Sequence, residues 1–102
     1  MEAYIVSTMD VCVAIRELRD PQGSRYTDIM RKIRDMNGDR GPEFLDVQPA
    51  IRRARREGLI EQNQQTGWWK LTRNGRYFCR RADNNRMETW SEVSIEIKMK
   101  WF

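Results

Sequence analysis

Four arginines stand within five positions, Arg52, Arg53, Arg55 and Arg56, and Glu57 is the nearest acid. A guanidinium offers a planar fork of N–H donors that matches phosphate oxygens or the O6/N7 edge of guanine. Gln48, one turn earlier, adds an amide that both donates and accepts. Further on, Gln64, Gln65, Trp68, Lys70 and Arg73 mix amides, a ring and two cations. Such a mixture suits a sugar-phosphate backbone. Trp68 beside Lys70 is either a platform for bases, a ring covering a hairpin, or part of a protein interface. Chemistry of other kinds is missing. Histidine is absent, which removes Ser-His-Asp and Cys-His catalysis and histidine metal ligation. There is no GxxxxGK[ST] loop, no GxGxxG and no nucleophile elbow. Near the basic segment the carboxylates are Glu57 and Glu61 alone, too few for a metal nuclease. The expectation is a protein that is not an enzyme, with no cofactor and no metal.

Charge placement points the same way. Residues 1–46 carry seven Lys/Arg against nine Asp/Glu, residues 47–81 nine against two, and residues 82–102 three against four, so net charges are −2, +7 and −1. A basic block inside a near-neutral frame suits a polyanion partner. A solvated arginine face would have the same composition, so geometry has to decide. Cys12 and Cys79 form no CxxC motif and no disulfide framework. Both thiols are expected free, in a reducing intracellular compartment. Cys12 packs in the first helix; Cys79 lies among Arg76, Arg80 and Arg81, which would lower its pKa if they face it. No stretch reaches the roughly 18 apolar residues of a membrane span, and MEAYIVSTMD has no basic leader region. The expected location is the cytoplasm, on the nucleoid, in a microbial or viral setting, and the nucleus in a eukaryotic one.

At 102 residues the chain is one small domain. Ala3-Tyr4-Ile5-Val6 is a short apolar run that reads as a strand. A first helix starts near Thr8 and runs to about Arg19, before the turn Asp20-Pro21-Gln22-Gly23. A second follows Thr27, with Ile29, Met30, Ile33 and Met36 as its stripe and Gly38 as its stop, ahead of the loop Asp39–Pro42. The third spans about 46–57, with Asp46 as N-cap and Pro49 in the first turn. At about 100° per residue, Val47, Ala50, Ile51, Ala54 and Gly58 share one sector and Arg52, Arg53 and Arg56 the opposite side, with Gln48 and Arg55 at the edge. A hairpin over about 59–71 turns at Asn63–Gly67, with Trp69 and Leu71 facing the core and Trp68 and Lys70 facing out. Thr72 caps a fourth helix to about Ala82, with Tyr77 and Phe78 as contacts, and Asp83-Asn84-Asn85 form a loop. Finally, Val93, Ile95, Ile97, Met99 and Trp101 alternate with polar residues, the pattern of a strand of about ten residues. Its apolar face needs a neighbour, either Tyr4–Val6 or its own copy, and self-pairing would give a homodimer through the C-terminal strand. Trp90 and Trp101 would bury against that strand or a partner.

Helix, helix, arginine-bearing helix, hairpin and then Leu71-Thr72-Arg73-Asn74-Gly75 opening a helix resembles the winged helix-turn-helix DNA-binding proteins. Arg55-Arg56-Glu57-Gly58-Leu59-Ile60 followed by Gly67-Trp68-Trp69-Lys70-Leu71-Thr72 is similar to the helix-to-wing segment of microbial regulators of the MarR and PadR groups. The resemblance covers about residues 8–82. Linker-histone globular domains share the layout. The implied fold class is α+β: a three-helix core with a β-hairpin wing, a fourth helix and a C-terminal strand. The implied function is transcription regulation on double-stranded DNA. Gln48, Arg52, Arg53 and Arg56 would read the major groove and Arg55 would touch phosphate. Gln64, Gln65, Trp68, Lys70 and Arg73 would flank it from the wing. Thr27 would offer its amide to phosphate, with Arg25 nearby and Asp28 opposing. Two alternatives stay open: a winged-helix module that binds a protein such as polymerase or another regulator, and a non-specific architectural binder of DNA or RNA.

Overall fold

Ser7 starts the first helix. Its Oγ accepts from the Asp10 N–H at 3.1 Å, and Asp10 Oδ2 accepts from the Ser7 N–H at 3.0 Å, a reciprocal box that satisfies two end donors. Helix α1, Thr8–Leu18, then ends on Arg19 in the left-handed region. In the computed structural model, which describes residues 6–36, 46–84 and 89–101, α1 is the centre of the molecule. Val11, Cys12, Val13, Ala14 and Ile15 are all buried, so α1 is apolar almost all round and is wrapped by its neighbours. Helices α2 (Tyr26–Met36), α3 (Gln48–Arg56) and α4 (Arg73–Asn84) pack on it, as does the second strand of the hairpin.

In α2, Ile29 and Ile33, one turn apart, face the core, with Met30 and Met36 packed at its edge. In α3 the buried residues are Ala50, Ile51 and Ala54, and Val47 before it is also buried. The cap differs in detail from expectation. Val47 takes the N-cap position, while Asp46 Oδ1 accepts from the Gln48 N–H at 3.1 Å from one residue further out. Gly38 and the loop 39–42 lie outside the described residues, as do Ala3, Tyr4 and Ile5; Val6 is part-buried and not in a strand.

Gly58, at φ 75°, turns the chain out of α3. Strand β1 (Ile60–Gln62) pairs antiparallel with β2 (Trp69–Leu71), with Ile60 opposite Leu71, Glu61 opposite Lys70 and Gln62 opposite Trp69. A third segment adds to the sheet. Ser24 exchanges two backbone hydrogen bonds with Trp69, at 2.7 and 2.8 Å, on the other edge of β2. Gly23, at φ 114°, lets that segment lie against Trp68 and Lys70. Thr72 closes the hairpin onto α4. Its N–H donates to Leu59 O at 3.0 Å, its hydroxyl to Gly58 O at 2.5 Å, and its Oγ1 accepts from the Gly75 N–H at 3.1 Å. Asp83 and Asn84 belong to α4 and not to a loop. Asp83 is held there by Arg16 of α1, whose two terminal nitrogens donate to its carboxylate at 3.0 and 3.1 Å.

The C-terminal segment is a helix, not a strand. Helix α5 runs Trp90–Trp101. Thr89 caps it: Thr89 Oγ1 accepts from the Glu92 N–H at 3.4 Å and Glu92 Oε2 accepts from the Thr89 N–H at 3.3 Å. Trp90 meets the Phe78 ring edge to face, with centroids 5.6 Å apart. In a strand Val93 and Ile95 would share one face. Here they point apart: Val93 is 1% exposed and Ile95 58%. The homodimer expected from strand self-pairing loses its basis with the strand. The fold is thus α+β, with five described helices and a two-stranded antiparallel sheet, an arrangement compatible with a winged helix. Among the described residues no helix is long and apolar enough to cross a membrane.

Candidate nucleic-acid interface

The helical wheel of α3 holds in three dimensions. With Ala50, Ile51 and Ala54 inward, Gln48, Arg52, Arg53, Arg55 and Arg56 are all exposed. None of the four arginines has an acidic partner among the described residues; the ion pairs of Arg16 with Asp83 and Glu17 involve none of them. An exposed guanidinium without a counter-ion keeps its donors for a ligand. Arg52 is steadied by Gln48, whose Oε1 accepts from it at 3.1 Å across one turn. The Gln48 amide nitrogen is left to donate.

The hairpin stands beside this face. Between them lies an open groove of about 340 Å³, lined by Gln48, Arg52 and Arg55 from α3, by Gln62, Gly67 and Trp69 from the hairpin, and by Tyr26 and Ile51. Register explains the hairpin side. Gln62 is opposite Trp69 and on the same face. The Gln62 side-chain nitrogen donates to Gly67 O at 2.9 Å, tying the two ends of the turn together. Arg53 and Arg56 are exposed but do not line the groove. Arg55, expected at the edge of the arginine face, is one of its walls.

Other expected residues lie elsewhere. Gln64 and Gln65 are exposed on the hairpin tip, which is shaped by Asn63 Oδ1 accepting from the Gln65 and Thr66 N–H groups at 2.8 and 3.1 Å. Thr27 is exposed in the first turn of α2, and Arg73 is exposed at the start of α4. Trp68 and Lys70 sit on the hairpin face opposite Trp69, away from the groove. Trp68 is not an open platform. The Arg25 guanidinium lies over its ring, 5.2 Å from the centroid. Sequence reasoning passed over Tyr26, Gln62 and Gly67. Gln62 was within reach of the strand-pairing pattern, because period two sets it on the Trp69 face.

The thiols form a pair. Cys12 and Cys79 are both buried, on α1 and α4. Interaction with the Cys79 thiol, and then burial, hold Cys12 well above the usual thiol range. Interaction with the Cys12 thiol, and then the Arg16 charge, lower Cys79. Arg76, Arg80 and Arg81, the neighbours in sequence, are not the cause. Among the described residues no cluster of three or more metal-type ligands exists. No protein-family model, curated protein or solved structure matches the chain.

Proposed function

We propose that the chain is a winged-helix DNA-binding protein that acts as a transcriptional regulator. In this reading α3 enters the major groove of double-stranded DNA and the hairpin serves as the wing on the flanking backbone. The observation that carries it is the row of four exposed arginines on α3, unpaired among the described residues, beside a groove shared with the hairpin. A helix with its side chains is about 10–12 Å across and the major groove about 12 Å wide. Gln48 has the donor and acceptor that adenine requires, and Arg52 and Arg56 the fork that guanine requires. Arg55, facing the hairpin across the groove, is suited to a backbone phosphate seated between the two elements. The Ser24–Trp69 pairing and the Thr72 junction add support, because both hold the hairpin rigidly against the helical core.

The test is selection of bound duplexes from a randomised pool by gel shift and sequencing. Arg52→Ala or Arg56→Ala is expected to cost about 1–3 kcal/mol and relax preference at one position where the residue reads a base. An arginine that meets phosphate alone weakens all sequences alike and lowers the salt slope by about 0.9. Deleting residues 64–67 and closing the hairpin with a short turn weakens binding but keeps the preferred core. Wild-type binding by the double Arg52/Arg56 alanine variant refutes the assignment of α3. Displacement by excess random DNA would instead mark an architectural binder.

A further inference from the structure

Cations stand on both sides of the hairpin: Arg52 and Arg55 of α3 across the groove, and Lys70 with Arg25 on the outer face. Arg25 is exposed, has no acidic partner among the described residues, and lies over Trp68 at 5.2 Å. Its backbone is fixed from both sides. Ser24, just before it, is bonded twice to Trp69, and Arg25 O accepts from the Ile29 N–H at 3.0 Å at the start of α2. Gly23 brings this segment so close that a Cβ there would meet Trp68 Cβ at 3.1 Å and Lys70 Cγ at 3.3 Å. The exposed Lys70 therefore stands on the same side of the hairpin as Arg25 and Trp68. A guanidinium held over an aromatic ring is attracted to the ring face without using an acceptor, so its N–H donors remain for a ligand. The contact also restricts the long side chain before any ligand arrives.

We infer that Arg25, mounted on Trp68 and joined by Lys70, is a second phosphate-backbone contact on the outer face of the hairpin. The inference rests on the DNA-binding reading and extends it. Trp68 acts as a positioning residue under Arg25 and does not stack on a base. DNA then meets separate sets of cations on the two sides of the hairpin: Arg52 and Arg55 of α3 on the groove side, Arg25 and Lys70 on the outer side.

The experiment measures equilibrium binding of the full chain to a duplex recovered from the randomised pool, between about 0.05 and 0.2 M salt. Circular-dichroism melts check each variant's fold. One lost phosphate contact lowers the salt slope by about 0.9, which is about eightfold in affinity at roughly 0.1 M salt. Arg25→Ala is expected to show that loss for every sequence alike. Trp68→Ala is expected to match it, and the double variant to be no weaker than either. Trp68→Phe, which keeps a ring, falls between wild type and Trp68→Ala. Arg25→Ala with Lys70→Ala should lower the slope by about 1.8. A Trp68→Ala loss that exceeds and multiplies with that of Arg25→Ala overturns the positioning role and makes the ring itself the contact. Wild-type affinity and slope for Arg25→Ala, where the double Arg52/Arg56 alanine variant no longer binds, overturns this inference and leaves the role of α3 standing. No binding by the wild-type chain to any duplex overturns both.

Discussion

Gly75→Ala puts the junction between hairpin and α4 to a sharp test. Glycine inside a helix ordinarily loses about 1 kcal/mol against alanine, so on an open face this change would stabilise the protein. Here a Cβ at position 75 would lie 2.0 Å from the Leu59 carbonyl oxygen and 3.0 Å from its carbon. A carbon and a carbonyl oxygen rest at about 3.3 Å or more, so α4 must retreat from Leu59 by over about 1 Å. The same Leu59 oxygen accepts from the Thr72 N–H at 3.0 Å, and that bond breaks when α4 moves. Overpacking against backbone costs about 1–3 kcal/mol, and the lost hydrogen bond about 1 kcal/mol. With the helix-propensity gain set against them, the net loss is about 2 kcal/mol. For a domain of this size that lowers Tm by about 8–16 °C. Urea and thermal unfolding followed by circular dichroism read the change directly. A Gly75→Ala protein as stable as the wild type, or more so, refutes the close approach of α4 to Leu59.

Two further outcomes are expected. Thr89→Ala removes the cap of α5 and should cost about 1 kcal/mol, with reduced helical ellipticity; an unchanged melt would contradict the capping box with Glu92. Cys12 and Cys79 are buried together between α1 and α4, so a thiol reagent should leave both unlabelled in native buffer and label two per chain in denaturant. Fast native labelling of Cys79, as an arginine-activated surface thiol would show, rules out this packing.

Whether a feature of this fold is legible in the sequence depends on the range of the contacts that set it. Features set by residues within one or two turns were readable. The alternation of apolar and charged positions put Ala50, Ile51 and Ala54 inward and the arginines outward, as found. Gly67 and the polar run before it marked the hairpin, and period two assigned Trp69 to the core and Lys70 to solvent. Features set by distant partners were not readable. Nothing in the spacing of Arg25 reveals that it will cover Trp68, because the link runs through the Ser24–Trp69 pairing, a contact between residues far apart in the chain. Which of the arginines line the groove, Arg52 and Arg55 rather than Arg53 and Arg56, has the same origin. Helical angle alone cannot tell which side of α3 the hairpin will occupy.

The C-terminal segment shows a different kind of failure, in which a local signal was present and outweighed. Alternation from Val93 to Trp101 suggested a strand, and each β-branched residue lowers helix propensity by only a few tenths of a kcal/mol. Against it stood Thr89-Trp90-Ser91-Glu92, a capping box worth about as much as several such residues. Trp90 then gains an edge-to-face contact with Phe78 that orients the helix on α4, and Val93, one turn on, follows it into the core. Once Trp90 and Val93 are both inward, the helical period is imposed on the residues between them and Ile95 is turned to solvent. Two anchors three positions apart fit one face of a helix and opposite faces of a strand. That geometric fact, more than any propensity, decides the segment.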